Sequence, residues 1–214
     1  MKVCEIFTSI QGESSYAGLP CTFIRLSGCN LRCSYCDTEY AYNAGMELTE
    51  DEIINELSLV GVNLVEITGG EPLLQEGAHH LIERLLNDGH RVLVETNGSQ
   101  SIKDIDSRAV IILDIKTPGS GMVSEMDFSN LDYLKPADEV KFVITGRGDY
   151  EWARDLMEER SLHEKCVVLF SPVCEALPAK NLVKWIIEDR LDVRLNLQLH
   201  KYIFDGEKES QRGH

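Results

Sequence analysis

The sequence predicts an α/β protein with a mostly parallel sheet, and its apolar segments are the first reason. Short apolar segments recur along the 214 residues, and helical patterns lie between most of them. Strands that alternate with helices form parallel sheets, so we expect a sheet that is open or curled toward a barrel. No repeat, low-complexity tract or long linker divides the chain. Residues 1–214 are therefore expected to form a single domain.

The predicted elements follow in order along the chain. CTFIRLSG (21–28) has the composition of a buried strand that enters a cysteine-rich loop. Thr49 to Glu52 has the form of a capping box and is followed by an apolar helical face. LVEIT (64–68) is a predicted strand, followed by a helix that continues to about Asn87. Further strands are expected at 91–95, 110–114, 139–144, 166–170 and 193–198, and further helices at 150–160 and 178–189, with Pro178 as a first helical residue.

Four unusual segments each follow a predicted strand. They are the cysteine loop, TGGEP (68–72), TNGS (96–99) and Lys116. Ligands of parallel sheets bind beyond the carboxyl ends of the strands. We therefore expect the four segments to converge on one rim and to form an active site.

Composition and charge argue against several classes of protein. The formal net charge of −15 is unfavourable for a phosphate backbone, so no nucleic-acid partner is expected. No apolar run is long enough to cross a bilayer, and the N-terminal residues lack the features of a signal peptide. A cytoplasmic location without a membrane partner is expected. Disulfides are not expected, because cytosolic reductants keep thiols reduced. The four scattered cysteines are predicted to be small buried hydrophobes: Cys4, Cys21, Cys166 and Cys174.

The stretch GCNLRCSYCDTEY (28–40) contains the other three cysteines, Cys29, Cys33 and Cys36. A cubane iron–sulfur cluster normally takes four thiolates, so three would leave one iron open to another ligand. The alternative is a zinc site completed by a distant His or Cys. Zinc sites usually use two C-x2-C pairs, and the sequence has no second pair.

The spacing Cys-x3-Cys-x2-Cys, with Tyr35 before the last cysteine, resembles the signature of radical S-adenosylmethionine enzymes. This resemblance implies a 4Fe–4S cluster whose open iron binds S-adenosylmethionine. TGGEP resembles the segment that holds the methionine amino group in these enzymes, with Glu71 in support.

Further motifs narrow the resemblance. EIFTSIQGE (5–13), FIRLSGCNL (23–31), TGGEPLLQ, ETNGS (95–99) and HKY (200–202) resemble the 7-carboxy-7-deazaguanine synthase family. This implies an incomplete β/α barrel of the radical S-adenosylmethionine type, a homodimer, and a lyase of queuosine or archaeosine biosynthesis. The implied reaction contracts the ring of 6-carboxy-5,6,7,8-tetrahydropterin with loss of ammonia. An electron donor such as flavodoxin or ferredoxin is also implied.

The resemblance implies roles for particular residues, with no catalytic residue beyond the cofactor radical. It gives the cluster to Cys29, Cys33 and Cys36, and Mg²⁺ to Thr38. Cofactor contacts are expected from Tyr35, Asp37, Gly69, Gly70, Glu71, Glu95, Asn97, Asp114, Lys116 and Ser171. Substrate contacts are expected from Ile10, Gln11, Gly12, Glu13, Arg25, Thr68 and His200, and the tail 203–214 is a candidate to close the substrate site.

Several of these roles have plain structural alternatives. Arg25 lies in an apolar strand and would serve either a substrate carboxylate or an internal ion pair. Asp37 and Thr38 would otherwise cap a helix or turn. The segments at Asp114–Lys116 and 171–173 depart from the family's Ser-Pro-Lys and Gln-Pro-Met patterns. His79 and His80 lie on a predicted helix and are expected at the surface.

Two other functions compete with the enzyme. A radical activase, which takes hydrogen from a glycine of a partner protein, shares the three-cysteine spacing, but it has no need of the QGE and HKY motifs. An iron–sulfur or zinc redox sensor has no need of the nucleotide pocket that the GGEP and ETNG segments suggest.

Overall fold

The computed structural model describes residues 1–204 and contains one open sheet. Within these residues the sheet has nine strands in the order β3-β1-β2-β4-β5-β6-β7-β8-β9. The strands from β2 to β9 pair in parallel, whereas β1 is antiparallel to β2 and to β3. Their bounds are β1 Lys2–Ile10, β2 Pro20–Leu26, β3 Met46–Glu47, β4 Leu64–Gly69, β5 Arg91–Thr96, β6 Val110–Ile115, β7 Glu139–Ile144, β8 Val167–Pro172 and β9 Arg194–Leu195.

Helices connect most of the parallel strands, so the predicted fold class is confirmed in its open form. The α-helices are α1 Glu50–Val60, α2 Ala78–Asn87, α3 Arg147–Glu159, α4 Leu162–Lys165, α5 Ala179–Asp189 and α6 Leu199–Ile203. Short 3-10 turns occur at Glu39–Tyr42, Pro72–Leu74, Pro118–Ser120, Val123–Glu125 and Phe128–Asp132. None of the helices in residues 1–204 is long and apolar enough to cross a membrane.

The first helix shows how local sequence sets an element. The Thr49 hydroxyl accepts a hydrogen bond from the Glu52 backbone, and the Glu52 carboxylate accepts one from the Thr49 backbone, as the predicted capping box requires. Gly61 ends the helix at a φ of 71°, a left-handed conformation that favours glycine.

Three elements differ from the sequence prediction. The helix predicted directly after TGGEP begins only at Ala78, because Pro72 starts a separate turn and the Gln75 side chain bonds to the backbone of β1. Only Arg194–Leu195 of the predicted strand 193–198 pairs with β8, since the chain then turns into the site. The helix expected from Pro178 begins one residue later, at Ala179.

Two further differences concern the N-terminal strand and the cysteines. Sequence analysis predicted no strand before residue 21, and in the structure β1 is a half-buried strand antiparallel to β2. Cys21 and Cys166 are buried as predicted, but the prediction is wrong for Cys174, which is exposed, and for Cys4, which is half-buried.

The two faces of the sheet differ in chemistry. The outer face packs under the helices and forms the main core, with Ile67, Leu113 and Phe142 fully buried. The inner face has a much smaller apolar cluster, which includes Phe23, Leu93 and Ile112. Because side chains alternate along a strand, each parallel strand supplies both faces. On the inner face, polar side chains follow the apolar cluster toward the carboxyl ends of the strands.

Candidate active site

A cavity of about 230 Å³ opens on the inner face, at the carboxyl ends of the parallel strands. All the site residues predicted from the sequence line it except Glu71. The expectation that the motif segments converge on one rim is therefore correct for the residues described. Residues 205–214 lie outside the described part of the chain, and so does most of the tail that was a candidate to close the substrate site, including His214.

The cysteine loop follows β2 and places all three thiols on the cavity wall. Its backbone turns at Cys33, whose carbonyl accepts a hydrogen bond from the Cys36 amide at 3.2 Å. Ser34 ties the loop to the Pro118–Ser120 turn, donating from its hydroxyl to the Gly119 carbonyl at 2.7 Å. The Cys29 sulfur accepts a hydrogen bond from the side-chain amide of Asn97 at 3.7 Å, so two motif segments meet at one thiol.

The glycines of TGGEP let this segment pack closely against the cysteine loop. Gly69 has a φ of 150°, and a Cβ there would collide with the Leu26 carbonyl. A Cβ at Gly70 would collide with the Gly28 carbonyl. Neither position has room for a side chain, so the loop geometry depends on both glycines.

Glu71 lies beneath the cavity wall and connects two motif segments. Its carboxylate accepts hydrogen bonds from the backbone amide of Asn97 at 2.6 Å, the Thr96 hydroxyl at 2.8 Å and the backbone amide of Leu73 at 3.0 Å. Burial raises its pKa, although these hydrogen bonds oppose that effect. Glu71 thus occupies the position of a support under the TGGEP and ETNG segments.

Lys141, on β7, is the centre of a buried network of charges. Its ammonium lies 3.1 Å from Glu13 and 3.4 Å from Asp114, and it also forms an ion pair with Glu95. Asp114 in turn lies 2.9 Å from Lys116. Burial disfavours the charged lysine, but the three carboxylates outweigh it and raise the pKa of Lys141 well above its ordinary value.

Glu13 is held from three sides. Its carboxylate accepts from Gln198 at 2.8 Å and from Asn196 at 3.3 Å, in addition to Lys141. Burial alone would raise its pKa, but Lys141 and then Gln198 outweigh it, and the pKa lies below the usual value. A carboxylate offers about four lone-pair sites, so roughly one remains for a ligand.

Asp114 and Lys116 form the part of the network nearest the cysteines. Burial opposes the charge of Asp114, but Lys116 and Lys141 lower its pKa below the usual value. Its Oδ1 atom is buried and makes no hydrogen bond within residues 1–204. A buried carboxylate oxygen without a donor is costly, so this atom fits a donor group of a bound ligand.

Arg25 forms the internal ion pair that was the alternative to a ligand role. Its Nε donates to Glu5 at 2.8 Å across the β1–β2 pair, and Tyr40 donates to the same carboxylate oxygen at 2.8 Å. Arg25 nevertheless lines the cavity. The ion pair fixes the orientation of the guanidinium and is compatible with a ligand contact.

The cap interpretation of Asp37 and Thr38 fails. Thr38 precedes the Glu39–Tyr42 turn, but its side chain makes no capping hydrogen bond and instead donates to Asp37 at 3.2 Å. Asp37 pairs with Lys201 of α6 at 2.7 Å. Both residues line the cavity, and the ion pair joins the cysteine loop to the C-terminal helix.

The remaining predicted residues complete the wall. His200 packs against Gly12, where a Cβ would collide with its ring, and the Gly12 carbonyl accepts from the Leu199 amide at 2.9 Å. Ser171 donates to the Asn196 carbonyl at 3.0 Å, and Thr68 donates to Glu95 at 3.2 Å. His79 and His80 lie on α2 and do not line the cavity; His80 is exposed, as expected, whereas His79 is half-buried.

Among the residues that sequence analysis missed, four contact Gln11 or Glu13 at the cavity: Glu66, Lys141, Asn196 and Gln198. Two of them carried a usable signal. Lys141 interrupts the apolar strand EVKFVI, and Glu66 interrupts LVEIT, just as Arg25 interrupts its own strand. The other two follow the short strand β9, where no local pattern marks them.

Comparisons with known proteins agree with this geometry. A profile of the Radical SAM superfamily matches residues 23–115. A protein of Koribacter versatilis named 7-carboxy-7-deazaguanine synthase is 45% identical, covering 97% of this chain and 98% of its own. One of the same name from Chlorobaculum tepidum is 42% identical, covering 96% of this chain and 94% of its own. The chain belongs to the 7-carboxy-7-deazaguanine synthase family.

Solved structures of lower identity support the fold. The crystal structure of QueE from Escherichia coli superposes with a TM-score of 0.76 at 23% identity, covering 92% of this chain and 93% of that one. Streptococcus suis SuiB bound to S-adenosylmethionine gives a TM-score of 0.54 at 12% identity, covering 87% of this chain and 52% of that one. The similarity covers nearly the whole described chain in the first case.

As a radical S-adenosylmethionine enzyme of this family, the chain uses a 4Fe–4S cluster and S-adenosylmethionine. No three His, Cys, Asp or Glu side chains of residues 1–204 converge closely enough to hold a single metal ion. The cluster assignment therefore rests on the family and on the three thiols at one cavity. Asp114 Oδ1, a buried acceptor at that cavity, fits a hydrogen-bond donor of the cofactor.

Proposed function

We propose that the chain converts 6-carboxy-5,6,7,8-tetrahydropterin to 7-carboxy-7-deazaguanine and ammonia, and so supplies 7-deazapurine biosynthesis. The similarity to relatives of that name over nearly the full length carries this proposal. The cavity supports it, because it combines three thiols with a polar wall suited to a carboxylated heterocycle. Whether the product then leads to queuosine or to archaeosine would depend on the host.

The chain's own residues divide the cavity into two sides. Cys29, Cys33 and Cys36 would hold the cluster, which together with S-adenosylmethionine supplies the radical when both are bound. The cofactor side of the wall is formed by Tyr35, Asp37, Gly69, Gly70, Glu95, Asn97, Asp114, Lys116 and Ser171, with Glu71 as a support beneath it. These groups would orient the cofactor and exclude water from it.

The substrate side lies around the end of β1. Ile10, Gln11, Gly12, Glu13, Thr68 and His200 would bind the bicyclic ring, and Arg25 would bind its carboxylate. A guanidinium suits this role because it binds a carboxylate in a two-pronged geometry. Glu5 and Tyr40 would hold the guanidinium in place.

Thr38 would contribute a hydroxyl ligand to Mg²⁺, with substrate oxygens and water at most other positions. Mg²⁺ prefers hard oxygen donors in an octahedron and retains several waters. Asp37 would act from behind this shell, because Lys201 already occupies its Oδ2 atom. One neutral hydroxyl binds the ion weakly, so firm binding would require the substrate.

The assembly is proposed on the same basis. We expect a cytoplasmic homodimer that receives electrons from a small donor such as flavodoxin or ferredoxin. The net charge of −15 is unfavourable for tRNA, although the product ends there. Tight, salt-sensitive tRNA binding at physiological salt would contradict this part of the proposal.

Anaerobic reconstitution tests the reaction. The protein is loaded with iron and sulfide, reduced with dithionite, and supplied with S-adenosylmethionine, Mg²⁺ and the carboxytetrahydropterin. We expect a deazapurine chromophore and equimolar ammonia. Formation of 5′-deoxyadenosine without product would favour the activase function. No cleavage of the cofactor would favour a redox sensor.

A further inference from the structure

Glu66 is a buried carboxyl group of the cavity wall with no assigned role. It lies in the middle of β4, on the inner face beside Phe23 of β2 and Leu93 of β5, and only 3% of it is exposed. Within residues 1–204, no lysine, arginine or histidine nitrogen lies within 4 Å of its carboxyl group. Lys141 contacts three other carboxylates and not this one.

The contact with Gln11 fixes how Glu66 is used. The side-chain carbonyl of Gln11 accepts a hydrogen bond from the Glu13 amide at 2.8 Å. The Gln11 amide nitrogen must therefore point the other way, and it donates to Glu66 Oε2. The second oxygen, Oε1, makes no hydrogen bond with residues 1–204, and Glu66 lines the cavity.

The charges that face Glu66 are unequal. Glu13 and Glu95 present negative charge from the β1 end and from β5, and the Cys21 thiol lies nearby on β2. Arg25 and Lys141 present positive charge from β2 and β7, but each has closer carboxylate partners. Three other carboxylates, those of Glu13, Glu95 and Asp114, thus already contact the one ammonium of Lys141.

Burial and the charge of Glu95, in that order, raise the pKa of Glu66 well above its ordinary value of 4.5. Lys141 and Arg25 act in the opposite direction and do not compensate. This agrees with the geometry, in which Glu66 is the carboxyl group left without a cation.

We infer that Glu66 is a neutral carboxylic acid whose O–H group, on Oε1, donates a hydrogen bond into the cavity and selects a ligand with a lone-pair acceptor at that place. The ligand class is a planar heterocycle with a carbonyl or ring-nitrogen acceptor near its N–H donors. Glu13 accepts from the donors, and Glu66 donates to the acceptor. A ligand that lacks the acceptor would leave the acid unpaired, which is the usual physical basis of strong discrimination.

This inference rests on the proposed function for its ligand, and 6-carboxypterin is a suitable probe because it needs no turnover. Binding of the probe to the reconstituted protein with S-adenosylmethionine is followed by its fluorescence. Glu66→Gln keeps a neutral donor of the same size, whereas Glu66→Met keeps the length without hydrogen bonding. Glu56→Gln, on the exposed side of α1, is the matched control for loss of a glutamate.

We expect Glu66→Gln to bind the probe within about threefold of the unmodified protein, and Glu66→Met to bind about tenfold more weakly, the scale of one hydrogen bond. Binding of S-adenosylmethionine should stay the same in both. A charged Glu66 gives a different result, because Glu66→Gln would then remove a repulsion and strengthen binding of the anionic probe severalfold.

Thermal unfolding between pH 5 and 8 tests the proton without any ligand. A group whose folded pKa exceeds its unfolded pKa takes up a proton on folding, so its contribution to stability falls as pH rises above about 4.5 toward the folded pKa. The difference between the melting temperatures, Glu66→Gln minus the unmodified protein, should therefore increase as pH rises. Glu56→Gln should show no such trend.

The two measurements separate the possible failures. Parallel pH profiles for Glu66→Gln and the unmodified protein would overturn the inference, whatever the ligand. If the unmodified protein did not bind 6-carboxypterin, the proposed substrate and the reading of its acceptor would both be overturned, while diverging profiles would still support the proton on Glu66.

Discussion

The two faces of the sheet are built from the same strands but follow different rules. Phe142, on the outer face, packs edge-on against Trp152 and Phe170 with ring centroids 6.4 and 5.7 Å apart. Its neighbour Lys141, on the inner face, is also buried, but its ammonium forms ion pairs with three carboxylates. One residue along the strand thus separates a hydrocarbon core from an ionic network.

This difference teaches where the chain accepts unfavourable burial. The outer face gains stability from apolar area, at about 25 cal/mol per Å² removed from water. The inner face buries carboxylates and ammonium groups, which hydrophobic residues of similar size would often match or exceed in stability. These charges line the cavity that we propose holds the ligands. Stability and function are thus distributed between opposite faces.

The largest effect is expected where the inner face meets the cysteine loop. Cys33→Ala should remove one cluster ligand, and cofactor cleavage should fall to background while the fold persists. Iron content and 5′-deoxyadenosine formation after anaerobic reconstitution measure this. Cys166→Ala is the control, since Cys166 lies in the outer core and bonds the Leu162 carbonyl. Full turnover by Cys33→Ala would show that the cluster is held elsewhere.

Two adjacent residues of β7, Phe142 and Lys141, test the difference between the two faces of the sheet directly. Phe142→Ala should cost about 3–5 kcal/mol of unfolding free energy at every pH, because it leaves a cavity. Lys141→Met should cost a similar amount at neutral pH, about 3–5 kcal/mol, because it leaves buried carboxylates without a cation. That cost should shrink as pH falls, because burial without the Lys141 ammonium raises the pKa of Glu13 and Asp114 and lets both carboxylates take up protons.

Denaturant unfolding between pH 5 and 8 measures both variants. Equal pH profiles for Phe142→Ala and Lys141→Met would mean that the ionic network contributes nothing specific to the inner face.

Sequence reasoning predicted the outer face more completely than the inner one. Buried parallel strands such as VIILD and the capping box at Thr49 have local patterns, so the sheet and α1 could be predicted. The motif residues that line the cavity could be predicted because the motifs are distinctive. The partners of Glu13 were not, because Asn196 and Gln198 are more than 180 residues away in sequence. Contacts of that kind depend on the assembled fold.

The next prediction concerns the substrate side. Arg25→Lys keeps the positive charge but loses the planar fork and the contact between Nε and Glu5. Affinity for 6-carboxypterin should fall roughly tenfold, the scale of one charge-assisted hydrogen bond, while binding of S-adenosylmethionine is unchanged. Arg160→Lys, on the surface, is the control. An equal loss of both ligands would mean that Arg25 only stabilises the β1–β2 pair.

A smaller effect is expected at Thr38. Thr38→Ala should lose most of the stimulation of turnover by Mg²⁺, since one hydroxyl ligand is removed, while uncoupled cofactor cleavage continues. Thr38→Ser retains the hydroxyl and should keep the stimulation. Turnover across a Mg²⁺ titration measures both. An unchanged Mg²⁺ response in Thr38→Ala would remove this residue from the metal site.

The smallest effect on stability is expected where α6 is joined to the cysteine loop across the mouth of the cavity. The Lys201–Asp37 pair is half-exposed, at 36% and 48% of the side chains, so Lys201→Met should cost at most about 1 kcal/mol of global stability.

The local effect of Lys201→Met should be larger, because the ion pair and the contact between Gln198 and Glu13 hold this segment to the site. Amide hydrogen exchange should therefore accelerate in residues 199–203 and stay unchanged in α3. Lys184→Met is the matched control, since the ion pair that Lys184 forms with Glu188 within α5 is exposed. Unchanged exchange in residues 199–203 would mean that α6 is held by its backbone contact with Gly12 alone, and that the inner face does not use surface charge to close its cavity.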